Sequence, residues 1–310
     1  MSKFFMINNI YKILSVTIIL IWISVPANGS SSGKIGVISL HAKWSMPSKH
    51  AGWWEEMGKL KIFKKKFQNK CGKGPWRCSE DKTIVGHKKA DLRFVEFALH
   101  DEGILIESPH CAWSRLRKYD LPVDEALREC ITPRIERLKK RGAEKIVILG
   151  KSLGANMAIR AGVIFDGISG VVAMGPGHRP AKPYIVEKHL GDVAHALNKI
   201  KNGKGDKKTE YLDINQGSEM QVSISAKSYH SFFSPDGSAV MALNVPKMKN
   251  KAALLWIVGD LDIITTNGDG RRIYNTAAKK PKTRYIEVNG GHDEVGENGA
   301  DKIVEWIKRL

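Results

Sequence analysis

The chain is short of acid. Its 310 residues hold 50 Lys and Arg against 32 Asp and Glu, a net charge of +18. An acidic, solvating composition is therefore excluded, and 42% apolar content is enough for a packed core. Cysteine is scarce too, with four residues, so disulfides can aid this chain but not replace a core. No internal repeat and no low-complexity linker occurs past residue 33. There is no H-E-x-x-H, and Cys71 and Cys78 lack a second Cys/His pair at finger spacing, so no metal site is expected. No G-x-G-x-x-G follows a first strand, and "GPGHRP" (175–180) is not that motif, so a dinucleotide cofactor is not expected either. Beyond the N-terminus no segment is long and apolar enough to span a bilayer.

The N-terminus has its own pattern. Lys3 and Lys12 precede the apolar run "ILSVTIILIWIS" (13–24), and "VPANGSSSG" follows, with Ala27 and Gly29 spaced as the small residues of a signal-peptidase site. Residues 1–29 read as a cleaved secretory signal peptide, with cleavage near Gly29 and residues 30–310 as the mature domain. The run is shorter than the roughly 20 apolar residues of a membrane span, and no cysteine follows it to carry a lipid. The expected location is periplasmic or secreted, where cysteines can pair. Cys71 and Cys78 flank the loop "GKGPWR", so a local bridge is the first expectation; Cys111 and Cys130 then pair or stay as buried thiols. The positive charge is uneven. Residues 59–89 hold eleven Lys and Arg against two acids. Such a stretch is either a solvated surface or a face for an anionic membrane or envelope surface; in an exported chain nucleic acid is the partner least expected.

Past the signal segment, short apolar runs alternate with helical patterns. Strands are predicted at 34–42, 103–109, 145–150, 170–176, 252–260 and 283–290. Leu127, Ile131, Ile135 and Leu138 give 123–142 a helical period, which Gly142 stops and Pro133 can kink. Helices are also predicted from 153 and over 300–310. This alternation implies an α/β fold with a mostly parallel central sheet. Residues 177–250 interrupt it with a helix and then short strand-like segments through "SYHSFFSPDG", and they read as a lid or cap over the sheet edge.

The chemistry gathers at "KIVILGKSLGANMAI". Gly150-Lys151-Ser152-Leu153-Gly154 sits between a strand and a helix, which is the setting a G-x-S-x-G nucleophile elbow requires. Small flanking residues let strand and helix approach closely, and the helix N-terminus aims free N–H groups at a developing oxyanion. Ser152 is the candidate nucleophile. An elbow serine needs an acid and then a histidine later in the chain. "IVGDLD" supplies Asp262 as the acid, with Asp260 reading as a turn cap; "NGGHDEV" supplies His292 as the base, with Asp293 and Glu294 facing solvent. Leu153 is the expected first oxyanion donor and Lys43, after the first strand, the second. His41 precedes the serine and reads as a packing residue. His178, at a strand's carboxyl end, either contacts substrate or caps its loop. Trp113 and "SYHSFFSP" suggest an aromatic-lined pocket, or else core.

Together "GKSLGA", "IVGDLD" and "GGHDEV" resemble the α/β-hydrolase superfamily over nearly all of residues 34–310. "HAKW", "AWSRLRKYD", "GPGHRP", "LDINQG" and "SFFSPDG" narrow the resemblance to exported bacterial α/β-hydrolase-like proteins of unassigned substrate. The resemblance implies an eight-stranded type of sheet and a triad of Ser152, Asp262 and His292 acting on a small acyl substrate without a cofactor. The expectation is an exported serine hydrolase of esters, thioesters or amides. An acyltransferase on the same triad, or a catalytically silent protein binding anionic envelope surfaces, is the rival. Three features depart from the family. His41-Ala42 replaces its usual His-Gly, Lys151 is an uncommon neighbour for the serine, and 59–89 looks like an insertion. Lys151 would either favour an anionic substrate or point to solvent.

Overall fold

In a computed structural model, residues 34–43, 76–78, 84–87, 91–215, 217–248, 252–262 and 267–310 are described. The chain enters the fold at strand β1 (Ile35–Leu40). A short antiparallel pair follows, β2 (Trp76–Cys78) and β3 (Ile84–His87), then helix α1 (Asp91–Asp101), β4 (Leu105–Glu107) and helix α2 (Val123–Lys140). The alternation continues through β5 (Lys145–Lys151), α3 (Leu153–Ile164) and β6 (Ile168–Met174). After an excursion it resumes with β9 (Ala253–Gly259), α7 (Asp269–Tyr274), β10 (Arg284–Val288) and α8 (Val295–Lys308). The excursion holds α4 (Pro183–Lys201), the antiparallel pair β7 (Lys208–Asn215) and β8 (Ser218–Ser225), α5 (Ala226–Phe233) and α6 (Met241–Asn244).

Six strands form one wholly parallel sheet in the order β10-β9-β6-β5-β1-β4. From β1 the chain steps out to β4 and then returns to β5 on the other side. The strand order therefore reverses beside β1, where the carboxyl ends of an open α/β sheet leave a crevice. Each inner strand is buried on both faces, so its side chains alternate between two apolar layers. Val37, Val147, Val172 and Leu255 face α1 and α8 through Val95, Leu99, Ile303 and Trp306. Ile38, Ile148, Val171 and Leu254 face the other layer, with Leu127, Ile131, Met157 and Ile159 of α2 and α3. Burying a side chain of this size contributes about 1.5–3 kcal/mol, so these layers hold the sheet in register.

Two expectations need correction. Among the described residues the sheet has six strands, not eight; the three-residue β4 ends it, and β2 and β3 form a separate pair. "AKSYHSFF" is helix α5 rather than strand: Ser225 caps it by accepting from the Ser228 N–H (3.1 Å), and its buried Tyr229, Phe232 and Phe233 recur at helical spacing. Helix α2 runs through Pro133 to Lys140, and Gly142, just past its Arg141 cap, takes a φ of 91° that only glycine adopts without strain. Cys111 and Cys130 are joined as a disulfide, with Cα atoms 5.4 Å apart. The expected Cys71–Cys78 bridge and the signal segment 1–29 lie outside the described residues.

Candidate active site

Ser152 sits at the tip of the turn from β5 to α3 with φ 55° and ψ −118°. A non-glycine residue there stores about 1–3 kcal/mol of strain and persists only where its surroundings hold it. The flanking glycines show what holds it. A Cβ on Gly150 would lie 2.0 Å from the Gly154 carbonyl oxygen, and one on Gly154 would lie 2.3 Å from that of Leu40. The elbow is thus pressed against the end of β1. The Ser152 N–H donates to the Met174 carbonyl at the end of β6 (3.0 Å).

The next residue brings in the rest of the site. Gly175 sits at φ 50°, where glycine is favoured, and a Cβ there would press on the pair: 3.3 Å from His292 Nδ1 and 3.5 Å from Asp262 Oδ2. Ser152 and the His292–Asp262 pair therefore flank the same Met174–Gly175 turn. His292 Nδ1–H donates to Asp262 Oδ2 at 2.7 Å, which leaves Nε2 as the ring's proton acceptor. The Asp262 side chain is fully buried and that of His292 is 12% exposed. Asp260 is exposed, and its Oδ1 accepts from the Gly290 N–H (2.9 Å), so it caps the histidine loop. That loop can close because Gly259 has no side chain; a Cβ there would lie 2.2 Å from the Gly290 carbonyl oxygen. Asp293 is exposed, but Glu294 is turned inward, its Oε2 accepting from the Gly291 N–H (2.9 Å).

Lys151 neither reaches solvent nor lies in the substrate's path. It is 3% exposed, and its ammonium donates to the carbonyl oxygen of His292. The residue beside the nucleophile thus holds the backbone of the candidate base, a role the sequence alone does not reveal.

A cavity of about 200 Å³ opens on Ser152 and is lined by Lys43, Leu153, His178, Arg179, His189 and Phe233 among others. Leu153 opens α3, so its amide has no acceptor within the helix. Lys43 holds its place through its side chain, which donates to Asp213 Oδ1 and to the Ile214 carbonyl (3.0 Å). Burial lowers the Lys43 pKa against the opposing pull of Asp213. Tyr119 Oη donates to the other Asp213 oxygen (3.1 Å). Asp213 itself is fully buried; its sequence signal is an acid on the inward phase of "EYLDI", two residues after buried Tyr211.

His178 lines the cavity while its Nε2–H donates to the Phe232 carbonyl (2.6 Å); burial, aided by nearby Lys43, lowers its pKa to about 4, so the ring is neutral. Trp113 is not part of the cavity. It is fully buried, and its indole N–H donates to the His41 carbonyl (2.8 Å), pinning the loop after β1. His41 packs beneath that loop: Nδ1–H donates to the Ala42 carbonyl (2.9 Å) and Nε2 accepts from the Cys111 N–H (3.2 Å). Of the aromatic segment, Phe233 reaches the cavity, while Tyr229 and Phe232 are core.

A strained serine between strand and helix, with a buried carboxylate–histidine pair beside it on a parallel sheet, defines the α/β-hydrolase fold, and solved structures agree. One similar structure comes from work on LipS and LipT, two metagenome-derived lipolytic enzymes: TM-score 0.52, 14% identity, covering 90% of this chain and 95% of that one. Another is DcsB in complex with its substrate analogue: TM-score 0.55, 11% identity, covering 90% and 92%. No protein-family model and no curated protein matches the chain.

Proposed function

We propose that this protein is an exported serine hydrolase that cleaves a carboxylic ester, with thioesters and amides as related substrates. The observation that carries the reading is the 2.7 Å His292–Asp262 bond placed, across Gly175, beside a serine held at φ 55°. Ser152 Oγ attacks the acyl carbon while His292 Nε2 takes its proton. Asp262 fixes the Nδ1–H tautomer and stabilises the imidazolium. The Leu153 and Lys43 amides receive the oxyanion. His292 then protonates the leaving alcohol, and water, activated by the same ring, releases the acyl group. His178 and Phe233 contact the substrate.

Export is supported by the run at 13–24 and its small-residue site, and 59–89 supplies a basic stretch for an anionic envelope surface. A fluorophosphonate probe tests the chemistry: it should label the wild type and not Ser152→Ala, whose ester turnover should fall by about 10⁴-fold or more. Absence of labelling in wild type, or persistent labelling in the variant, refutes the reading. In wild type, replacement of water by an added alcohol as the acyl acceptor would instead indicate a transferase.

A further inference from the structure

Beside the Ser152 cavity lies a second cavity of about 420 Å³. His178, Arg179 and Pro180 line both. These residues leave the carboxyl end of β6, the edge at which such sheets bind ligands. The charged residues lining the second cavity are Arg179, Lys182, Asp269 and Arg272: three cations around one carboxylate. Arg272 donates to Asp269 Oδ1, and the Lys182 ammonium lies against Asp269 Oδ2. Arg179 shares the same carboxylate: its Nη1 lies 3.9 Å from Asp269 Oδ2, an ion pair without a hydrogen bond, and among the described residues neither buried atom has a hydrogen-bond partner. The Arg179 side chain is only 14% exposed, so water satisfies little of it.

Three cations share one carboxylate here, so the cavity wall carries an excess of positive charge, and an oxyanion set against it gains charge-assisted bonds. The arrangement is also self-repelling: burial and the neighbouring Arg179 and Arg272 lower the Lys182 ammonium. Lys43, the other cation of the Ser152 cavity, is already neutralised by Asp213 and does not compete.

We propose that Arg179, with Lys182 and Arg272 behind it, binds an anionic group of the substrate, so that this site takes acyl compounds carrying a carboxylate or phosphate-like group away from the scissile carbonyl. The proposal rests on the serine-hydrolase reading for the carbonyl's position and on the charges alone for the anion's. Arg179 becomes the residue that sets specificity, touching the substrate but not the reacting atoms.

The test uses matched 4-nitrophenyl esters of four to six carbon diacids: the free carboxylate, its neutral methyl ester, and an analogue ending in phosphonate. Wild type should favour one or both anionic forms about tenfold or more in kcat/KM, the worth of one or two charge-assisted bonds. The ratio should fall toward one in Arg179→Gln and shrink with added salt. In parallel, titration calorimetry on Ser152→Ala should show the same order of binding. Preference for carboxylate or for phosphonate names the anion. Equal turnover and equal binding of all three esters overturns the proposal and leaves the hydrolase intact. Binding preference on Ser152→Ala without any turnover by wild type sinks the hydrolase and leaves the anion site standing.

Discussion

The floor of the site and its cap are built from different materials. On the floor, backbone meets backbone. Gly150, Gly154, Gly175 and Gly259 each stand where an added Cβ would crowd neighbouring atoms, in three cases within 2.3 Å of a carbonyl oxygen. In the cap, side chain meets side chain. Asp213 accepts from Lys43 and Tyr119, His189 bonds to Tyr229 Oη (2.6 Å), and Tyr211, Tyr229 and Phe233 stack. A glycine constraint tolerates one residue type and announces itself in a sequence. A partnership between two side chains far apart in the chain announces neither member. Positions fixed by backbone are thus read early, and positions fixed by partners are found only once the chain is folded.

The sharpest way to break this contrast is Asp213→Ala. It strands the buried Lys43 ammonium, and removing one partner of a buried pair costs about 3–5 kcal/mol. Chemical unfolding should show that loss, with ester turnover falling alongside it if Lys43 supplies the proposed second oxyanion donor. A stable variant that keeps full activity would mean that cap and floor are independent. Gly154→Ala attacks the floor by itself. With the new Cβ 2.3 Å from the Leu40 oxygen, backbone must move, at about 3 kcal/mol in a melting experiment. An unchanged Tm would show that the elbow has slack.

His41 gives the contrast a pH axis. Burial lowers its pKa from 6.5 to about 4, since a second proton would displace the Cys111 amide from Nε2. The unfolded chain takes up that proton first, so stability is full above pH 6.5 and falls as pH drops toward 4, by about 3 kcal/mol from this ring. Unfolding of wild type and His41→Gln at pH 7.5 and 4.5 should show a smaller pH loss in the variant; equal losses would remove His41 as the cause. The smallest effect is expected at Lys151→Met. Losing one charge-assisted bond to the His292 carbonyl should lower kcat by about ten- to a hundredfold while KM moves little. An unchanged kcat would mean that the histidine loop holds itself.

What could be read in advance follows the same division. Four of the six core strands lie within the runs 34–42, 103–109, 252–260 and 283–290, while β5 extends one residue past 145–150 and β6 begins two residues before 170–176; strands buried on both faces are legible because they are continuously apolar. Asp262 and His292 were legible as residues following two of those strands, and the fold brings the pair to 2.7 Å. Asp213 was not, since an acid in a strand reads as a solvent face until its partners are known. The same is true of Lys151, whose acceptor is 141 residues away, and of Arg179, which shares Asp269 with Lys182 and Arg272. Trp113 misled because a large aromatic looks alike in a core and in a pocket; its indole bond to His41 places it in the core.

The Lys43–Asp213 tie also resists any opening hinged on the cap. The cap is fastened to the body at several other points, among them the Val123 amide on Ser231 Oγ (3.0 Å) and Arg160 on Asn244 Oδ1 (3.0 Å). A hinge motion that carried Asp213 and Ile214 away from Lys43 would break both of that side chain's bonds at once. His178, Arg179 and Pro180, which line both cavities, stand instead where the two meet the same wall, at a place no such motion has to disturb.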